Sequence, residues 1–262
     1  GGQILILADP QESRSDPGYV IEIMDPRSLR PGPRDAGVDR YLAAEPLIES
    51  DAPEIRAEAE RAVRGAVDDR GRAEQLTRYV NGLLDKKPTV SLPSAREVLR
   101  TKVGDCNEHT ALFVAMARSI GMPARIAVGL VFMHGAFYYH AWPEVYITEN
   151  PSTSRGASTQ GLWLPVDPTL NQYPADATHL RLTRGGLDKQ AVVLPLIGRL
   201  KMTVLDVELV PGANRPVVGR APEEMDLGSL ATTVAPPAQS SSSCRCSGSR
   251  SRAEAFGEGG NK

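Results

Sequence analysis

"KVGDCNEHTALFVAMARSIGMPAR", residues 102–125, is the stretch on which the reading of this chain turns. Asp105 can cap a helix, and Glu108 stands three residues later, the spacing of a capping box. Gly121 falls where a left-handed C-terminal residue is needed, and Pro123 forbids continuation. Between these marks "ALFVAMA" is apolar on nearly every face, which predicts a central, buried helix starting at Cys106. Cys106 is the only cysteine in the first 243 residues. A structural cysteine belongs in the middle of an apolar face. One at a helix mouth is a candidate nucleophile, because the positive end of the helix dipole favours thiolate.

Upstream, two more helices are legible. "SDAPEIRAEAERAVRGAV" offers Ser50 or Asp51 as a cap and Pro53 in the first turn, with Ile55, Ala59, Ala62, Val63 and Ala66 at helical spacing. "GRAEQLTRYVNGLLDKKP" repeats that pattern with Ala73, Leu76, Tyr79, Val80, Leu83 and Leu84. A short helix is predicted over Ser94 to Leu99. Downstream the period changes to that of strands. "ARIAVGLVFM" and "FYYHAWPEVYI" flank a turn at His134–Gly135, "GLWLPVDPT" follows a Ser/Thr/Gly-rich loop, and a last strand is predicted over Leu200 to Val210. The charge-free run from Ile126 to Pro143 is as long as a membrane span. Its two histidines, paired tyrosines and turn-forming Gly135 make it a buried hairpin instead, so no membrane span is expected.

The ends differ in texture. Residues 1–40 hold one apolar run, Ile4 to Ala8, and then a Pro/Gly/Asp/Arg-rich segment that reads as a linker or the remnant of a preceding domain. From Pro211 the chain is rich in Pro, Ser and Gly, and disorder is expected over 211–262. Cys244 and Cys246 in "CRC" carry metal-ligand spacing and nothing else around them, and read as part of that tail. The folded unit is thus expected at 41–210. The opening "GGQILILADP" has neither an initiator Met nor a basic-then-apolar leader, so it reads as a fragment, one that leaves the compartment open.

Of the 262 residues 41% are hydrophobic, somewhat low for a globular chain, which fits a core diluted by polar ends. The net charge of −2 is spread along the chain. No basic stripe points to nucleic acid, and three cysteines make no disulfide framework.

A nucleophilic cysteine needs help here, since Asp105 and Glu108 oppose the helix dipole. An imidazole able to hold a proton is the other device that lowers a thiol pKa. His109 lies one turn along the same helix, poorly placed to face a substrate beside Cys106. His134 lies in the hairpin turn and His179 in a polar stretch read as a loop. His140, mid-strand between Tyr138 and Trp142, has a rigid backbone to hold its ring. Such a base needs an acceptor on its second nitrogen, as in the Ser-His-Asp arrangement, and Asp167 in "WLPVDPT" is the natural choice on an adjacent strand. Tyr139 and Trp142 are candidates to line a substrate groove. The loop from Asn150 to Gly161, between the base strand and the Asp strand, is a candidate gate for it.

The phrases "GDCNEHTALFVAMARSIGMPARIAVG", "YYHAWPEVYI" and "WLPVDPT", in this order, resemble the transglutaminase-like superfamily within the papain-like cysteine enzymes. The resemblance implies an α+β fold, with the nucleophile-bearing helix packed on an antiparallel sheet, and a triad of Cys106, His140 and Asp167. It implies acyl transfer through a thioester on a peptide or protein substrate, with no cofactor and no metal. The chain departs from the pattern at the oxyanion hole. No Gln or Trp stands just before Cys106, so only the Cys106 N–H is an evident donor. Nothing here matches the calcium-binding and β-sandwich regions of animal transglutaminases. Hydrolysis, as in a bacterial peptidase or amidase, is therefore the favoured reading. Cross-linking of glutamine to amines, or a scaffold that binds peptide without turnover, are the alternatives.

Overall fold

The computed structural model describes residues 2–7, 19–89, 94–148, 160–186, 189–196, 199–207, 232–233 and 250–257. In chain order the strands are β1 (Gln3–Leu7), β2 (Tyr19–Met24), β3 (Gly32–Pro33), β4 (Asp85–Lys86), β5 (Val103–Gly104), β6 (Ala124–Met133) and β7 (Ala136–Thr148). They continue as β8 (Gln160–Pro165), β9 (His179–Gly185), β10 (Leu200–Val207), β11 (Thr232–Thr233) and β12 (Arg250–Gly257). The helices are α1 (Pro53–Ala62), α2 (Asp69–Leu83), α3 (Ala95–Thr101), α4 (Cys106–Ser119) and α5 (Gln190–Val193).

The local signals act as read. Asp105 and Glu108 form the capping box of α4, and Cys106 is its first residue. Gly121 adopts φ 80°, which lets the chain leave the helix. His134 (φ 51°) and Gly135 (φ 84°) make the left-handed pair that closes the β6–β7 hairpin. One cap differs: α1 starts after Ala52 with Pro53 at its first position, and no side chain caps it. Pro has no N–H to satisfy there, so less is lost without a cap.

The fold is α+β. A mainly antiparallel sheet runs β3-β8-β7-β6-β9, with β11 pairing β7. Helix α4 lies against β7 and β6, and α1, α2 and α3 pack around it. From Thr110 through Ala117 every residue of α4 is fully buried. Its apolar residues form one core with Ile55, Leu76 and Val80 of the surrounding helices and Val128, Ala141 and Val145 of the sheet. This is the buried helix on an antiparallel sheet that the sequence reading expects.

The ends contribute more than a linker reading suggests. β1, β2, β12 and β10 form a second antiparallel sheet. Ile21 and Ile23 of β2 share a smaller core with Leu130, Leu180 and Met202. Gln3 bonds the backbone of Arg181 in both directions, at 2.7 and 2.8 Å. Most of 211–262, Cys244 and Cys246 among them, lies outside the described residues, as does the 150–159 part of the expected gating loop. No helix among the described residues is long and apolar enough to cross a membrane.

Candidate active site

The site forms where β8 leaves the edge of β7. The two strands pair from Thr148↔Gly161 to Glu144↔Pro165, and the last bond runs from the Val166 N–H to the Pro143 carbonyl at 3.0 Å. Pro143 has no N–H, so the ladder cannot extend from it. Two residues earlier the backbone points to the same edge again, and here α4 takes over. The Thr110 hydroxyl donates to the Ala141 carbonyl at 3.0 Å, and the Ala141 amide bonds the Cys106 sulfur. Cys106 is thereby held at the residue next to His140.

Cys106 is a free cysteine, partly exposed as a residue. Its thiol pKa is pushed up, first by burial of the sulfur and then by the charge of Asp105, with Asp167 and Glu108 adding to it; only the Ala141 amide pulls the other way. Burial first, and then the acids beside the helix mouth, work against the thiolate. Asp105 itself is pushed up to about 7 by burial and by its hydrogen bond with Glu108. Within the first turn, Asp105 takes the amides of Asn107 and Glu108 with its side chain and that of His109 with its carbonyl.

His140 is buried, and its Nε2 lies 2.7 Å from Asp167 Oδ2. Asp167 is fully buried just past β8. Its other oxygen accepts the amides of Thr169 and Leu170 at 2.7 and 2.9 Å. Its backbone pairs with Gln172, and Asn81 of α2 donates to the Pro168 and Thr169 carbonyls, so the whole turn is fixed. Burial alone would raise the Asp167 pKa, but its two histidine partners hold it well below the usual carboxylate range. An ionised carboxylate only accepts, so Nε2 of His140 carries the hydrogen and Nδ1 is left as the basic nitrogen.

His179 is the residue the sequence reading passes over. It opens β9 rather than lying in a loop, and its Nε2 reaches Asp167 Oδ2 at 3.0 Å. The alternation of Leu180 and Leu182 with His179, Arg181 and Thr183 is a strand signal that would have found it. Trp142 is 1% exposed, stacked 6.0 Å from His140 and edge-on 5.0 Å from His179. It packs against both rings that meet Asp167. Tyr139 is half-buried, and its phenol pKa is raised first by burial and then by the nearby charges of Cys106 and Asp105, which puts it beside Cys106. His109 is fully buried, with Nδ1 2.6 Å from the Asp105 carbonyl. It braces the first turn of α4.

His140, Asp167 and His179 offer ligand atoms within 4.8 Å of one another. Nitrogen and oxygen ligands about 2.1 Å from a tetrahedral ion stand roughly 3.4 Å apart. The 2.7 and 3.0 Å separations on Asp167 Oδ2 are hydrogen bonds, and the trio is a proton-bridged network.

The family model of the transglutaminase-like superfamily matches residues 56–168, the segment that holds Cys106, His140 and Asp167 and ends before His179. No curated protein matches the chain. Among solved structures, a "Putative Cysteine Protease" from Cytophaga hutchinsonii is similar at 20% identity and a TM-score of 0.46, over 64% of this chain and 54% of that one. The periplasmic domain of TgpA from Pseudomonas aeruginosa is similar at 19% identity and a TM-score of 0.37, over 51% of this chain and 47% of that one. The chain therefore spans about half the length of these two structures.

Proposed function

Because residues 56–168 match the family model of the transglutaminase-like superfamily, we propose that this protein is a cysteine peptidase or amidase acting through Cys106, His140 and Asp167. The observation that carries the reading is the His140–Asp167 bond of 2.7 Å on the strand whose next amide holds the Cys106 sulfur. The proposed catalytic domain spans residues 41–210, with Tyr139 beside the nucleophile as its substrate contact.

In this reading the thiol proton passes to His140 Nδ1 as sulfur attacks the substrate carbonyl, since a thiol this buried does not ionise beforehand. The Asp167 carboxylate keeps the ring in the right tautomer and stabilises the imidazolium that forms. Negative charge on the former carbonyl oxygen falls near the Cys106 N–H at the start of α4. His140 then returns the proton to the departing amine, leaving a thioester on Cys106. Water, deprotonated by the same imidazole, releases the acid and restores the thiol.

The acceptor decides between hydrolysis and cross-linking. With a glutamine-containing peptide and a labelled primary amine supplied together, ammonia release with little label in the peptide is expected. Efficient incorporation of the amine would replace hydrolysis by transfer. A raised thiol pKa also suits a scaffold that never turns over, and that reading gains if neither product forms while the peptide still binds.

A further inference from the structure

His179 has no part in the steps above, yet it is buried against the groups that do. It shares Asp167 Oδ2 with His140, at 3.0 Å against 2.7 Å. On its other side Nδ1 lies 3.2 Å from the Asp176 carbonyl and 3.4 Å from Asp176 Oδ1. A ring with oxygen acceptors on both nitrogens must donate from both, and an imidazole that donates twice is the cation. Burial opposes that charge, but the bonds to Asp167 and Asp176 prevail, and the His179 pKa is pushed up to about 9. The other charged or titratable groups facing it are His140 and Glu144 of β7 and Arg181 of β9. Glu144 is already paired with Arg125 and Arg181.

We propose that His179 is a positioning residue of the triad, a buried imidazolium that bridges Asp176 and Asp167, fixes the shared oxygen, and divides the Asp167 charge between two histidines. The inference rests on Cys106, His140 and Asp167 being the reacting set. A carboxylate already answered by one cation attracts a second less strongly, so the cation at His179 leaves less of the Asp167 charge to hold a proton on its neighbour. His140 is then the proton acceptor beside the Cys106 thiol. Trp142, touching both rings, keeps water from screening this arrangement.

The test needs no substrate. The rate at which iodoacetamide alkylates Cys106, read by peptide mass spectrometry, is followed between about pH 5 and pH 9 in the wild type, His179→Gln and His140→Ala. Glutamine keeps a donor toward Asp167 and removes the charge. The two histidine rings are 5.6 Å apart, close enough that losing the cation changes the charge His140 meets. The acid limb of the rate profile should move to higher pH by about one unit, making His179→Gln about tenfold slower at low pH. Nitrogen-15 spectra of the wild type should show His179 doubly protonated through neutral pH, a readout that does not depend on how the variant folds. An unmoved acid limb while alkylation still depends on His140, or a His179 neutral at pH 7, overturns this proposal alone. Alkylation that ignores His140→Ala overturns the triad reading, and this inference with it.

Discussion

At the scale of single residues, Cys106 sits between opposing influences. The helix mouth and the Ala141 amide favour thiolate, while burial and the carboxylates of Asp105, Asp167 and Glu108 disfavour it, and the second group prevails. Asp105 is the most informative of these because it also caps α4. Asn caps as well as Asp does, so Asp105→Asn should leave the melting temperature nearly unchanged. Above pH 7, where Asp105 is ionised, the same change removes a charge that opposes the thiolate. Alkylation of Cys106 at mildly alkaline pH should then be a few-fold to about tenfold faster. An unchanged rate would mean that the Asp105 charge has no hold on the thiol. The sequence made Cys106, Asp105, Glu108 and His140 legible because capping and strand alternation are local patterns. The same alternation puts His179 on a strand, but its role is marked only by a carboxylate twelve positions away on another element.

At the scale of elements, the site depends on how closely β9 approaches β6. Gly129 of β6 pairs with His140 on one side and Arg181 on the other, at an irregularity in the β6–β9 register. A Cβ at Gly129 would stand 2.0 Å from the Leu180 carbonyl oxygen, a backbone atom that cannot turn aside. Gly129→Ala should therefore push β9 outward, cost about 2–4 kcal/mol, and pull His179 from Asp167. Gly82 in α2 is the control, because a Cβ there meets nothing. Gly82→Ala should be neutral or stabilise by up to about 1 kcal/mol. Denaturant melts of the two variants make the comparison, and equal stability would remove the close approach as the reason for glycine at 129. The helices and the β6–β7 hairpin were readable from periodicity and turn chemistry. β2 was hidden in a Pro/Gly/Asp/Arg-rich segment, and its partners β1 and β12 come from opposite ends of the chain, so no short window of sequence holds that sheet.

At the scale of the whole molecule, the His179–Asp167 contact ties folding to pH. The folded pKa of His179 lies near 9, above the ordinary 6.5, so its contribution is complete below about 6.5 and is lost as pH rises through 9. Asp167 works in the opposite sense: its folded pKa is depressed, so its contribution is present at neutral pH and fades only in strong acid. Melting temperature should fall between about pH 6.5 and pH 9 by an amount that reflects on the order of 3 kcal/mol, and His179→Gln should flatten that slope. A wild-type slope identical to that of His179→Gln would contradict it. The central claim, that Cys106 attacks a carbonyl with His140 as its base, has a more direct test. Wild-type protein, Cys106→Ala and His140→Ala are each mixed with an activated acyl ester, quenched in acid, and mapped by mass spectrometry. The account requires an acyl thioester on Cys106 that forms quickly in the wild type, does not form on Cys106→Ala, and forms far more slowly on His140→Ala. No acyl group on Cys106, or equal acylation with and without His140, would contradict it.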